Sequence, residues 1–305
     1  MDLHPEAVAF LDAEAARGRP PVRELDPVTA RALVADAIGE RGPSLAVHAI
    51  RPLKIPVAGG DVAARLYEPV SARGTILWLH GGGWVFDGLE ACDAACRLLA
   101  NASGATVVSV DYRVAPEHRY PAAAADSEAA MRYMAVKCSP PFAVAGDSAG
   151  GNLAAVCAQS AWADGAPRLA AQLLVYPVTD CDMTTESYRI YAEDDRLLLD
   201  GVTMRWFWDH YAPAPESRTE TRASPLRAAS LAGLPPAIVV IAEHDPLRDE
   251  GLEYARRLGE AGVPVTLDYQ PDMPHAFFTQ VNVLQRANET VARAGNQLRT
   301  LIAAA

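Results

Sequence analysis

Residues 146–150 read GDSAG, which sets Ser148 in a Gly-x-Ser-x-Gly frame between the apolar run FAVAGD and the helical stretch GGNLAAVCAQSAWADG. A sharp strand-to-helix turn of this kind strains the serine backbone and tolerates only small neighbours. It lifts the hydroxyl above the sheet, beside a helix N-terminus that favours negative charge. Five residues alone fit a tight turn equally well, so the pattern gains meaning through its partners. A serine hydroxyl is a weak nucleophile at neutral pH. It needs a base, the base needs an orienting acid, and the chain order for such a turn is serine, acid, histidine. Downstream stand His210, His244 and His275. His210 lies in the helical WFWDHY, where packing or a surface place is the better reading, and His244 precedes Asp245 just after the strand-like run AIVVIA. His275, in QPDMPHAFF after the last candidate strand, is the base that the order selects. Asp245, after the preceding strand, is then the acid. Glu243 and Asp249 are its rivals, although Asp249 suits the first turn of the next helix, where a carboxylate offsets the dipole.

The stretch TILWLHGGGWVFDG at 75–88 raises a second question, because three glycines in a row imply a backbone that comes very close to a guest. A dinucleotide fingerprint needs glycine at its first, third and sixth positions, and the sixth here is Phe86. The chain also has no Gly-Lys-Ser/Thr phosphate loop. An oxyanion is the guest that fits: backbone N–H groups of Gly82, Gly83 and Ala149 can converge on it. His80 is expected to brace this loop. Trp84 and Phe86 are candidates for the pocket wall, and so are Trp206 and Phe207 from the aromatic cluster MRWFWDHY, with core packing as the competing reading. Asp147, Arg113, Glu117, His118 and Asp126 are read as scaffold groups.

These residues require elements that bring them to one edge. LKIPV and VAARLYEP flank a turn at Gly59–Asp61 and predict a hairpin. TILWLH, ATVVSVDYR, FAVAGD, AAQLLVYP, PAIVVIAEHD and VPVTLDYQ then alternate with helical segments, which predicts a mostly parallel sheet covered on both faces. Between Pro177 and Leu234 no strand is apparent, only helices. Such an insertion can fold over the carboxyl edge of the sheet, where open α/β sheets bind ligands. The expectation is one α/β domain over residues 1–305, capped by about 1–48 and about 181–222.

Composition removes other classes. The 305 residues are 50% hydrophobic, with a mean hydropathy of +0.02. The net charge of −11 and scattered basic residues argue against a nucleic-acid partner or an anionic membrane surface. No stretch is long and apolar enough for a membrane span, and the acidic N-terminal stretch makes a poor signal peptide, so a cytoplasmic place is expected. The five cysteines include no CxxC. Cys92 and Cys96 lie one helical turn apart without further ligands nearby in sequence, so free thiols rather than a metal site are expected.

With these residues in place, the chain resembles the bacterial hormone-sensitive-lipase family of esterases. The matching stretches are HGGGW (80–84), DYRVAPEHRYPAAAAD (111–126), GDSAGGN (146–152), YPVTD (176–180), SPLRA (224–228), LPPAIVVIAEHDPLRDEG (234–251) and PHAFF (274–278). The resemblance implies an α/β-hydrolase fold with a helical cap, Ser148 as nucleophile, His275 as base and Asp245 as acid, and an oxyanion hole at Gly82, Gly83 and Ala149. It implies a small ester substrate of short to medium chain length and no cofactor or metal; family members often pair along the last strand, here near VTLDYQ, and a monomer is the open alternative. A lactonase, amidase or acyltransferase would use the same triad. A ligand-binding protein on this scaffold would typically lack the histidine, which is present here. One position departs from the family pattern: Ala276 stands where glycine usually follows the histidine.

Overall fold

The computed structural model describes residues 2–39, 45–86, 88–138 and 140–305. Residues 1 and 40–44 of the expected N-terminal cap segment, and Asp87 of the glycine loop, lie outside the described residues.

Eight strands form one sheet in the order β1-β2-β4-β3-β5-β6-β7-β8. They are β1 (Ala49–Val57), β2 (Gly60–Glu68), β3 (Thr75–Leu79), β4 (Thr106–Asp111), β5 (Phe142–Asp147), β6 (Leu169–Val175), β7 (Ala237–His244) and β8 (Val265–Pro274). The first two make the antiparallel hairpin, and β2 pairs antiparallel with β4. From β4 to β8 every pair is parallel. All eight coincide with strand-like runs in the sequence. β8 closes the order, so its outer edge is the edge along which relatives often pair.

Side-chain alternation explains why the central strands are apolar throughout. On β3, Ile76 and Trp78 enter the core on one face, while Leu77 and Leu79 enter the core on the other. On β7, Ile238, Val240 and Ala242 join the first face; Ala237, Val239 and Ile241 join the second. Helices α3 (Asp93–Ser103) and α10 (Gln285–Ala304) pack on the first side, and α4 (Ala122–Lys137), α5 (Ala149–Asp164) and α9 (Arg248–Glu260) on the second.

Two N-terminal helices, α1 (Pro5–Ala16) and α2 (Pro27–Gly39), precede the sheet. The Glu6 carboxylate accepts the N–H groups of Gln285 and Arg286 at 2.8 and 3.0 Å, which caps α10 with a negative charge. Between β6 and β7 the chain runs through α6 (Glu186–Ile190), α7 (Gly201–Tyr211) and α8 (Pro215–Arg218), with no strand among the described residues. Asn152 on α5 ties both arms of this insertion, donating to Val178 O at 3.0 Å and Ala223 O at 2.8 Å. All five cysteines are free, and among the described residues no cluster of side chains could hold a metal ion. No described helix is long and apolar enough to cross a membrane.

Candidate active site

β5 ends at Asp147 and α5 begins at Ala149, leaving Ser148 alone in the turn with φ 55° and ψ −120°. Such a conformation costs on the order of 1–3 kcal/mol for a non-glycine residue and persists only where its surroundings hold it. Here the glycines hold it by their absence of side chains. A Cβ at Gly150 would sit 1.9 Å from Leu79 O, and one at Gly146 would sit 2.3 Å from Gly150 O. The Ser148 N–H donates to Val175 O at 2.8 Å, anchoring the turn to β6.

The other two groups arrive from the ends of β7 and β8. Their pairing extends past an irregularity at Ala242–His244 to join His244 with Pro274, which sets Asp245 beside His275. His275 Nδ1 donates to Asp245 Oδ2 at 2.6 Å, and His275 Nε2 lies 3.0 Å from Ser148 Oγ. Ser148, His275 and Asp245 are 7%, 6% and 0% exposed. The second Asp245 oxygen accepts Leu247 N–H at 2.8 Å, so the carboxylate is fixed at both ends. A serine proton can thus pass to an imidazole whose other nitrogen is already oriented by an acid. The rivals are engaged elsewhere. Glu243 pairs with Arg248 and Tyr269, while Asp249 accepts Ser187 N–H in the first turn of α9. His244 contacts Tyr191 OH at 3.3 Å, and His210 bonds back to Trp206 O at 2.8 Å.

The glycine loop presents an account of its own N–H groups. Gly81 donates to Asp147 Oδ1 at 2.9 Å, and Val85 and Phe86 both donate to Gly82 O. The N–H groups of Gly82 and Gly83 have no acceptor among the described residues. Ala149, first in α5, has an N–H that its own helix cannot use. Side chains cannot replace these glycines: a Cβ at Gly83 would meet the Phe207 ring at 2.1 Å, and one at Gly82 would meet Phe86 Cβ at 2.9 Å. His80 braces the loop from below. Its Nδ1 donates to Gly81 O at 2.7 Å, its ring stacks on Tyr112 at 4.2 Å, and Tyr112 OH donates to His80 O. Burial raises the Asp147 carboxyl to about 6, against the opposing pull of the Gly81 N–H and His275.

A cavity of about 350 Å³ opens above Ser148 and His275. Gly81, Gly82 and Gly83 form part of its floor, while Leu11, Leu33 and Val34 of the N-terminal helices and Leu197, Leu199 and Phe207 of the insertion form apolar walls. Of the four aromatics expected there, Phe86 and Phe207 line it; Trp84 and Trp206 do not. Trp84 is fully buried and stacks on Tyr211 at 4.2 Å and against Trp208 at 4.8 Å, while Trp206 packs on His210. Ala276 adopts φ 66° and ψ 4°, a left-handed conformation that glycine would enter freely and that costs an alanine about 1 kcal/mol. Ala276 belongs to the cavity wall.

The sequence put about 1–48 in a cap, but did not say which of its side chains would line the cavity. Phe10 and Leu11 on α1 line it, and nothing in their local sequence says that this helix face turns toward Ser148. Arg31 on α2 escaped sequence reasoning. It donates to Val85 O at 2.7 Å and Ala115 O at 2.6 Å, and pairs with Glu117, whose carboxyl it holds down at about 2. Arg23 spans to the insertion, 2.6 Å from Asp195 and 3.3 Å from Asp200.

Comparison with known proteins bears on the same segments. A family model described as the alpha/beta hydrolase fold matches residues 76–279. Carboxylesterase NlhH of Mycobacterium tuberculosis is 41% identical over 245 residues, 76% of each chain. Ethyl acetate hydrolase of Pseudomonas putida is 37% identical over 245 residues, again 76% of each chain. The crystal structure of a thermostable esterase from Pseudomonas putida superposes with a TM-score of 0.92 at 35% identity, covering 99% of this chain and 98% of that one. The chain belongs to the α/β-hydrolase-fold family, in its hormone-sensitive-lipase branch of carboxylic ester hydrolases.

Proposed function

We propose that this carboxylesterase hydrolyses short- to medium-chain acyl esters, with Ser148 as nucleophile, His275 as base and Asp245 as the acid that orients it. The observation that carries the reading is the buried relay from Asp245 Oδ2 through His275 to Ser148 Oγ, at 2.6 and 3.0 Å. In the first step Ser148 Oγ attacks the ester carbonyl as His275 Nε2 takes its proton, and Asp245 stabilises the imidazolium. The carbonyl oxygen becomes an oxyanion facing the N–H groups of Gly82, Gly83 and Ala149; losing one such donor typically costs about 3 kcal/mol of transition-state stabilisation. His275 then protonates the leaving alcohol, and water repeats the cycle on the acyl-enzyme. In the same proposal the chain is one hydrolase domain, with residues of about 1–48 and 181–222 as its cap.

The chain-length range is supported by a cavity of about 350 Å³, walled by both cap segments. A series of 4-nitrophenyl esters from acetate to laurate tests it. The expected kcat/KM is highest between acetate and octanoate and at least tenfold lower for laurate, with all rates lost in Ser148→Ala. A maximum at laurate would overturn the range, and hydrolysis surviving in Ser148→Ala would overturn the assignment of the nucleophile.

A further inference from the structure

Asp245 lies one residue past the last pair of β7 with β8, His244 with Pro274, so contacts beyond the ladder set its turn. Part of the fastening is internal: Leu247 N–H donates to Asp245 Oδ1 at 2.8 Å, and Arg248 N–H donates to Asp245 O at 3.2 Å. The rest comes from the insertion between β6 and β7. Ser187, in the short helix α6, is 0% exposed, and its hydroxyl donates at 2.7 Å to the carbonyl of Pro246, the buried residue that follows Asp245. The same hydroxyl oxygen accepts Asp249 N–H at 3.3 Å and stands 3.2 Å from Thr185 Oγ1. The Ser187 N–H donates to Asp249 Oδ2 at 2.8 Å. One residue thus grips both ends of the turn 246–249 with its only hydroxyl proton and its backbone N–H. Further along the insertion, Tyr191 OH contacts His244 Nδ1 at 3.3 Å, on the other flank of Asp245. The insertion that clamps this turn also supplies Leu197, Leu199 and Phe207 to the cavity wall, whereas Ser187 itself does not line the cavity. Its route to the chemistry runs from Pro246 to Asp245, and from Asp245 Oδ2 to His275 Nδ1 at 2.6 Å.

We propose that Ser187 is a positioning residue for ester hydrolysis: it holds the turn that carries Asp245 against the insertion, so that the carboxylate stays aligned with His275 Nδ1–H. The inference rests on the esterase reading above. Without the hydroxyl, the buried Pro246 carbonyl loses a donor and Asp249 N–H loses an acceptor, and the turn can tilt. A tilted carboxylate stabilises the developing imidazolium less well. That loss is felt in the transition state and not in substrate binding, so kcat falls while KM holds.

The test is a double-mutant cycle on 4-nitrophenyl butyrate with Ser187→Ala, Asp245→Ala and the pair, each variant checked for its folded fraction by denaturant unfolding. Ser187→Ala is expected to lower kcat about fivefold to tenfold, with KM within about twofold. Asp245→Ala is expected to lower kcat on the order of 10⁴-fold. Adding Ser187→Ala to it should change kcat by less than about twofold, because the group it acts through is gone. Proton NMR gives a second readout: the low-field resonance of His275 Nδ1–H should be broadened or shifted upfield in Ser187→Ala. Should the alanine variant not fold, Ser187→Cys, close in shape but a weaker donor, takes its place in the cycle with the same pattern expected. An unchanged kcat, an unaltered resonance or a loss confined to KM overturns the proposal. The same fold-loss in both backgrounds overturns it too, since a general structural role would produce that. Full activity of Asp245→Ala, or hydrolysis that survives Ser148→Ala, would instead overturn the reading beneath it.

Discussion

On the sheet side of the cavity, the groups around Ser148 sit at strand ends and are fastened by backbone geometry; on the opposite side, the walls hang on arginines. Ser148, Asp245 and His275 follow β5, β7 and β8, all are buried, and a shift of any one would break pairing inside the sheet. The wall from α1 and α2 is held to the glycine loop through Arg31 and to the insertion through Arg23. Backbone ladders are cooperative and hard to displace, whereas a few charged side chains can be removed singly. The chemistry is thus built into the rigid part, and the shape of the pocket depends on the detachable part.

Two substitutions probe that difference, the larger effect first. Asp147 sits on the rigid side, and burial raises its carboxyl from 3.8 to about 6. The folded protein therefore holds this proton more tightly than the unfolded chain does. The associated stability is fully present below about pH 3.8 and is lost as pH rises through about 6. Two pKa units correspond to about 3 kcal/mol. Relative to Asp147→Asn, wild type should lose about that much stability between pH 4 and pH 7, read as the difference between denaturant unfolding curves. A pH-independent difference would show that Asp147 ionises without cost and that its site is less dry than the geometry implies.

On the side of the N-terminal helices, Arg31→Met removes the grip on Val85 O and Ala115 O. The glycine loop keeps its internal bonds from Val85 and Phe86 to Gly82 O and from Gly81 to Asp147, and Ala115 still donates to Trp84 O at 2.8 Å. The expected result is a KM for octanoate esters raised about tenfold, with kcat for acetate unchanged within about twofold. A uniform fall in kcat across all chain lengths would mean that Arg31 also sets the glycine loop, and the division between the two sides would not hold.

The same division explains what could be read from the sequence. Strand runs such as TILWL and FAVAGD are apolar because both sheet faces are covered, so their signal is local and strong. The serine turn is local too, since Gly146 and Gly150 are required within two residues of Ser148. The choice of His275 over His210 and His244 needed only chain order and the local context of each histidine. The pocket was less legible. Trp84 follows the glycines directly, yet its backbone takes φ 58° and its ring stacks on Tyr211, an arrangement set by tertiary packing rather than by neighbours in sequence. Ala276 was visible as a departure from the family pattern, and its left-handed backbone explains why glycine is usual there.

The central claim is that Ser148 is a nucleophile activated by His275 and Asp245. The most direct measurement is the intact mass of the folded protein after exposure to a fluorophosphonate, alongside Ser148→Ala and a denatured control. One adduct per chain is predicted on the wild type, mapped to Ser148, with none on the variant or after denaturation. An unlabelled native protein, or equal labelling of Ser148→Ala, would contradict it.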